Sequence, residues 1–113
     1  MGEKMLDEGI IRPVRGKRDP RLPPDVLMVM IPSELKYLAQ TADAKKEVFS
    51  DMSLYDLYRA QGAFAPPITL AGPFIGAPHA VMGLEKLIAL GAERILVLGW
   101  CGSLQSSLKI GDL

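Results

Sequence analysis

Two glycine-bearing turns hold the residue types that could bind a small ligand in this chain. The first, residues 72–78, leads from an apolar strand into a helix, so its backbone amides could face an anion. The second, residues 99–105, contains Trp100, whose indole offers a stacking face and an N–H donor. The first turn has the spacing of neither a Walker loop nor a dinucleotide fingerprint. Ligand binding is one interpretation of both turns, and plain packing is the other.

Two further reactive residue types, Cys101 and His79, do not indicate catalysis or metal binding. Cys101 has no basic neighbour or histidine partner in sequence that would favour its thiolate, so we do not expect a nucleophile there. His79 lies at the start of a predicted helix, and no second histidine or cysteine stands at metal-ligand spacing from it. The sequence therefore predicts no metal site.

A buried strand, a short helix and a hairpin precede these turns. Residues 26–31 form an apolar run bounded by prolines, which is typical of a central strand buried on both faces. Ser33 follows as the expected N-cap of a helix over residues 33–44. Residues 47–69 are typical of a hairpin, in which Pro66 and Pro67 must lie at a strand end or edge because they lack an N–H.

The final third of the chain predicts a strand–helix–strand unit. Pro78 suits the first turn of a helix and Gly91 its end. We expect Glu85 and Lys86 to lie away from the apolar stripe of this helix, and a second buried strand to follow over residues 94–99. The stripe consists of Ala80, Val81, Leu84, Leu87 and Ile88.

Parallel strands would bring the two glycine-bearing turns together. In open α/β sheets, ligands collect outside the carboxyl ends of the strands. We therefore expect the bends at Gly76 and Trp100 to open onto one cleft rimmed by main-chain N–H groups.

Composition excludes several classes of partner. The chain has 113 residues, and 13 basic side chains balance 13 acidic ones, so no net charge draws it to nucleic acid or an anionic membrane. The longest apolar runs are too short to span a bilayer, a single cysteine cannot form an internal disulfide, and no signal-peptide pattern opens the sequence. We expect one soluble, cytoplasmic domain.

The first 24 residues differ from the rest. They combine prolines with several arginines and lysines and show no helical or strand periodicity, which predicts an extended N-terminal arm. A solvated tail and an arm that docks on a neighbouring subunit or an anion are both compatible with this pattern.

Taken together, the later motifs resemble the N-terminal half of the nucleoside phosphorylase family, which comprises uridine and purine nucleoside phosphorylases and related nucleosidases. The similarity is clearest over residues 68–113. Gly-Ala-Pro at 76–78 opens a helix, Leu-Gly-Ala at 90–92 closes it, and a strand leads into Gly-Trp-Cys-Gly-Ser-Leu at 99–104 and Gly-Asp at 111–112. The order and spacing of these motifs, taken together, are specific to this family.

The resemblance implies an α/β fold of the phosphorylase/hydrolase type, with a mixed central sheet flanked by helices and incomplete in this chain. The chain then divides into the arm, residues 1–24, and the N-terminal half of the domain, residues 25–113. Because family domains are longer, we expect a portion of a larger enzyme fold with little activity by itself. Family members assemble, so we also expect a homo-oligomer.

The same resemblance implies phosphorolysis. In that reaction phosphate attacks the anomeric carbon of a ribonucleoside and releases the base and ribose 1-phosphate, without a cofactor. A nucleoside or nucleobase is the expected partner, with inorganic phosphate as a possible co-substrate. By match to the family, Cys101 and Gly102 line the base side, Trp100 covers the phosphate or ribose position, and Ser33 and Gly76 belong to the two earlier turns. The chain offers no residue that the match marks as catalytic.

The chain departs from the family at its phosphate-binding positions. Val97 stands where the phosphate arginine is expected, Trp100 stands in place of a serine or threonine, and the turn at residues 31–35 lacks an arginine. Each lost charge-assisted hydrogen bond is worth about 1.5–3 kcal/mol. Phosphorolysis, hydrolysis by a nucleosidase-like site, and a non-catalytic nucleoside-binding or oligomerising role all stay open, with a generic Rossmann-like nucleotide binder as a weaker alternative.

Overall fold

The computed structural model describes residues 15–62, 66–100, 107, 109 and 111 of the chain. The helices and strands in these residues are β1 (Asp25–Val29), α1 (Pro32–Thr41), β2 (Lys45–Glu47), β3 (Asp56–Ala60), β4 (Ile68–Gly72), α2 (Gly76–Ala89) and β5 (Arg94–Leu98). The strands form one sheet in the order β2-β3-β4-β1-β5.

The sheet is mixed, as predicted. Strand β1 runs parallel to β4 on one side and to β5 on the other. Strand β3 is antiparallel to both β4 and β2. The strand–helix–strand unit β4-α2-β5 therefore crosses over β1, and the predicted hairpin is formed by β3 and β4, with β2 added at its outer edge.

Alternating side chains of β1 pack on opposite faces of the sheet, which places one helix on each face. Val26 and Met28 belong to a buried cluster that includes Leu87 of α2. Val29 belongs to a second cluster, with Leu35 and other side chains of α1. The alternation follows from the period of two along a strand. The expectation of an α/β fold with helices flanking a mixed sheet is confirmed.

The start of α1 differs from the prediction. Ser33 is not the N-cap: the helix begins at Pro32, the N-cap is Ile31, and no side chain caps the helix. Proline suits this position because its ring fixes φ near the helical value and it has no N–H to leave unpaired. The helix ends at Thr41, before the predicted end at residue 44, and Asp43 has a positive φ of 50°.

The buried face of α2 also differs from the prediction. Gly83, Lys86 and Leu87 are buried, whereas Val81 and Ile88 are about half exposed. The position of Phe74 explains the rotation, since a Cβ at Gly83 would lie 2.2 Å from Phe74 Cε1. The ring packs directly on the helix backbone, and Lys86 lies on the same buried face of the helix as Gly83.

Strand β5 is not the buried strand that its apolar run predicts. Leu96 is 71% exposed and Val97 is 57% exposed. Within the part of the chain that the structure describes, β5 pairs only with β1. The apolar sequence correctly predicted a strand at these residues, but it did not predict how exposed the strand is.

The inward-facing Lys86 forms a buried ion pair with Asp19 of the arm. Lys86 Nζ lies 2.9 Å from Asp19 Oδ2, and the two side chains are 7% and 2% exposed. The same carboxylate accepts hydrogen bonds from Gly16 N at 2.7 Å, from Ser50 N at 2.7 Å and from Ser50 Oγ at 2.9 Å. One carboxylate thus joins the arm, the loop before β3 and helix α2.

Backbone contacts continue this attachment. Leu22 is buried in the core, and its N–H donates to the carbonyl of Leu90 at 2.8 Å. The carbonyl of Arg21 accepts from the Arg59 guanidinium at 3.0 Å. The described part of the arm therefore packs on its own domain, while the boundary at residue 24 stays a prediction.

We expect Lys86→Met to destabilise the fold by about 3–5 kcal/mol, because it leaves the Asp19 carboxylate buried without its counter-charge. Urea unfolding followed by circular dichroism measures this. Lys36→Met is the matched control, since Lys36 is exposed on α1 and its loss should change stability by less than about 0.5 kcal/mol. Equal effects of the two substitutions would contradict a stabilising ion pair.

Acid should weaken the fold through the same carboxylate. Burial alone would raise the pKa of Asp19, but the bonds from Lys86, Gly16 and Ser50 outweigh it and hold the pKa well below its usual range. A lowered pKa contributes stability that is complete above the unfolded value and is lost as the pH falls below it. Unfolding free energy should therefore fall as the pH drops below about 4, and Asp19→Asn should flatten that slope. An unchanged slope in that variant would refute the assignment.

Candidate functional site

The turns after β1, β4 and β5 leave the same edge of the sheet. Met28 of β1 pairs with Ala71 of β4, and Val29 pairs with Leu98 of β5, so these strands end side by side. Met30 N then donates to the Leu98 carbonyl at 3.0 Å. The topology therefore brings the bends at Gly76 and Trp100 to one edge, and the cleft rimmed by main-chain N–H groups stays a prediction. We call this edge the carboxyl edge.

Gly72 ends β4 in close contact with β1. A Cβ at Gly72 would lie 2.1 Å from the carbonyl oxygen of Val29, far inside any van der Waals distance. The next peptide bond, Gly72–Pro73, is cis. A glycine at this position therefore lets the chain leave the sheet directly beside β1.

Gly76 is the first residue of α2 and has a φ of +77°. A Cβ there would meet only Pro78 Cδ, at 3.8 Å, so conformation and not space favours glycine. The N-cap residue is Ile75, and no side chain forms a capping hydrogen bond at this helix start. Instead, the Ile75 N–H donates to His79 Nδ1 at 3.0 Å. The residue pattern alone did not predict this role of His79, although a histidine four residues after an N-cap is a sequence signal for such a contact.

A cluster of rings lies behind the turn at Gly76. Phe74 packs edge-on against His79 with 5.2 Å between ring centroids, and Tyr55 contacts Phe74 at 4.8 Å and Phe49 at 5.1 Å. Burial raises the pKa of Tyr55, and the carboxylates of Asp51 and Asp19 raise it further, so its hydroxyl keeps its proton. These rings fix the approach of the chain to α2.

The other predicted contacts occupy the same edge or lie outside the described residues. Trp100 follows β5 and is 73% exposed, so its indole is free to meet a ligand. The turn it belongs to adjoins β1, because a Cβ at Gly99 would lie 3.5 Å from Met30 Cγ. Ser33 is exposed in the first turn of α1. Cys101 and Gly102 lie outside the described residues.

An open apolar groove of about 410 Å³ lies at the opposite edge of the sheet. Its lining includes Asp25, Ile68 and Arg94, which are the first residues of β1, β4 and β5. It is therefore separate from the carboxyl edge.

In residues 15–62 and 66–100, no group of three potential metal ligands comes together, and no helix is long and apolar enough to cross a membrane.

The fold is similar to that of a solved nucleoside phosphorylase. The structure of purine nucleoside phosphorylase from Toxoplasma gondii in complex with immucillin-H superposes with a TM-score of 0.71 and 27% sequence identity. The alignment covers 88% of this chain and 43% of that one.

Sequence comparison establishes the family. The model of the phosphorylase superfamily matches residues 24–113, and the chain belongs to that superfamily. Guanosine phosphorylase of Halorubrum lacusprofundi is 37% identical over 46 residues, which are 41% of this chain and 19% of that protein. Uridine phosphorylase of Thermococcus kodakarensis is 36% identical over 47 residues, or 42% and 17%. The chain thus aligns with less than half the length of each of these relatives.

Both turn glycines have a positive φ, 156° at Gly72 and 77° at Gly76, but only Gly72 lacks space for a side chain, so substitution should show the cost of that close packing. We expect Gly72→Ala to destabilise the fold by about 3 kcal/mol, because the new methyl group must push β4 away from β1. Gly76→Ala should cost only about 1–2 kcal/mol, the strain of a left-handed residue in open space. Chemical unfolding of both variants tests this ranking, and a larger loss for Gly76→Ala would reverse our interpretation of the edge.

Proposed function

We propose that the protein acts on the N-glycosidic bond of a nucleoside, as a member of the phosphorylase superfamily whose ligand binds at the carboxyl edge. The observation that carries this proposal is the family match over residues 24–113, joined to a fold in which the turns after β1, β4 and β5 leave one edge. The guanosine, uridine and purine nucleoside phosphorylases among the relatives support a nucleoside as the substrate class.

In the proposed reaction, an oxygen nucleophile forms a bond to the anomeric carbon while the bond from that carbon to the base nitrogen breaks. With phosphate as nucleophile the products are the base and ribose 1-phosphate, and with water they are the base and ribose. No cofactor takes part. Ser33 would contact the ligand at the turn after β1, and Gly76 would do so at the turn after β4. The turn after β5 would contribute Trp100, Cys101 and Gly102.

The side chains at the end of β5 and in the turn after it favour altered anion recognition. Val97 and Trp100 are both well exposed and offer an apolar surface where the family resemblance implies an arginine and a hydroxyl. An apolar surface cannot replace the charge-assisted bonds that hold phosphate. Hydrolysis, or nucleoside binding without chemistry, is therefore the second candidate function.

We further propose a cytoplasmic homo-oligomer. Exposed large apolar side chains on β5 and on α2 support assembly, since an interface with another copy would remove them from water. They include Leu96, Val97, Val81, Met82 and Ile88.

Base release from guanosine, inosine and uridine, measured by chromatography with and without phosphate, tests the reaction. We expect saturable nucleoside binding by calorimetry, and phosphate should raise base release only weakly. Strong phosphate dependence would contradict altered anion recognition. Because we expect little activity from these 113 residues by themselves, the decisive assay uses the folded, full-length chain. Absence of both binding and base release there would remove the enzyme proposal, and binding without release would leave the non-catalytic role.

Restoring charge should restore phosphate binding. We expect the double variant Val97→Arg, Trp100→Thr to bind inorganic phosphate roughly tenfold to a hundredfold more tightly than the natural chain, the range given by one charge-assisted hydrogen bond. The matched control is Val48→Arg with Trp100→Thr, because Val48 is exposed beyond β2 at the far side of the sheet. Equal affinities of the two double variants in calorimetry would exclude a phosphate position beside Val97.

A further inference from the structure

The ring cluster behind Gly76 contains two polar atoms that lack partners. Tyr55 Oη and His79 Nε2 are both buried, and neither forms a hydrogen bond with any described residue. Tyr55 as a whole is only 4% exposed, and the centroids of the two rings are 6.2 Å apart. Native proteins seldom leave buried polar atoms unpaired, because each has lost its water without gaining a partner. Two such atoms on neighbouring rings indicate that a third group belongs with them.

The hydrogen bond from Ile75 decides what His79 can offer. Because Nδ1 accepts the Ile75 N–H, the proton of the neutral ring lies on Nε2, which is then a donor. The backbone at the start of α2 thus fixes both the tautomer and the orientation of the ring. The missing partner of His79 must be an acceptor.

Tyr55 places a different demand on that partner. Its hydroxyl stays protonated, since burial and two nearby carboxylates raise its pKa, so the oxygen can both donate and accept. A hydroxyl group meets both demands chemically, since its oxygen can accept from a donor such as His79 Nε2–H and its proton can be donated to an acceptor such as Tyr55 Oη. A carboxylate or phosphate oxygen would be less well matched, because Asp19 and Asp51 already place negative charge near Tyr55.

The pair lies at the carboxyl edge. Tyr55 directly precedes Asp56, which pairs with Gly72 at the end of β4. His79 lies in the first turn of α2, held to the N–H of Ile75 beside Gly76. A group bound between the rings would therefore adjoin the turn to which the proposed nucleoside site assigns Gly76.

We propose that Tyr55 and His79 form a subsite for a hydroxyl group of the ligand. The inference rests on the proposed function, in which that hydroxyl belongs to the ribose of a nucleoside. A structural water has the same hydrogen-bonding chemistry, and the experiments below separate the two sources. We name the pair the hydroxyl subsite.

His79 is the single histidine of the chain, so its ring can be followed without assignment. Long-range ¹H–¹⁵N NMR of the 113-residue chain should show the Nε2–H tautomer, and added inosine, uridine or free ribose should shift Nε2. If ribose shifts Nε2 while nucleosides neither shift it nor bind, the proposed function fails and the hydroxyl subsite stands. If neither ribose nor any nucleoside shifts Nε2, the subsite is overturned, even when calorimetry detects nucleoside binding elsewhere.

Two histidine variants separate the roles of the two ring nitrogens. Asparagine places an amide oxygen near the position of Nδ1, and glutamine places an amide group near the position of Nε2. His79→Asn should keep the bond from Ile75 and lose the contact to the hydroxyl, whereas His79→Gln should keep a donor toward the hydroxyl. We expect nucleoside affinity to fall roughly tenfold in His79→Asn and less in His79→Gln. The reverse order would show that His79 acts only through Ile75.

Removal of the Tyr55 hydroxyl completes the test. Tyr55→Phe should weaken nucleoside binding roughly tenfold, and a deoxynucleoside that lacks the contacted hydroxyl should bind the variant and the natural chain equally. Tyr37→Phe, on the exposed surface of α1, is the matched control. If Tyr55→Phe lowers Tm equally with and without nucleoside and leaves every nucleoside affinity unchanged, the rings hold a structural water and the proposal is wrong.

Discussion

The buried ion pair between Asp19 and Lys86 determines how the rest of the chain is arranged. A lysine ammonium is costly to bury unless a carboxylate and further hydrogen bonds compensate it. Here the arm supplies the carboxylate, and the loop before β3 supplies Ser50 as a second donor to it. Helix α2 consequently turns its charged residue toward the sheet. The arm, the loop and the helix must therefore reach their native positions together.

The orientation of α2 links this ion pair to the candidate site. With Lys86 turned inward, Gly83 faces Phe74, and Phe74 in turn contacts both Tyr55 and His79. His79 then holds the backbone N–H of Ile75, next to the turn at Gly76. The ion pair is thus connected to the carboxyl edge through side chains that touch one another. The edge that the family resemblance assigns to the ligand depends on packing across the whole face.

Local sequence signals predicted the elements well and their surroundings less well. The apolar runs, the proline at the start of α2 and the glycine after it were sufficient to predict β1, β4-α2-β5 and the hairpin, because these depend on neighbouring residues. The apolar pattern of α2 could not predict that Lys86 is buried, since its burial depends on Asp19, 67 residues away in the chain. The exposure of β5 depends on sheet order, which its apolar sequence does not encode. His79 was overlooked because its partner is a backbone N–H and not another side chain.

The edge of β5 that faces away from β1 affects how newly synthesised chains behave. Five residues, Arg94–Leu98, form a strand with no proline and with apolar side chains on both faces, and among the described residues only β1 pairs with it. Such an edge is a template for another strand. Until a further strand, of the same chain or of another, covers this edge, newly made chains can associate through it, and such association rises with chain concentration.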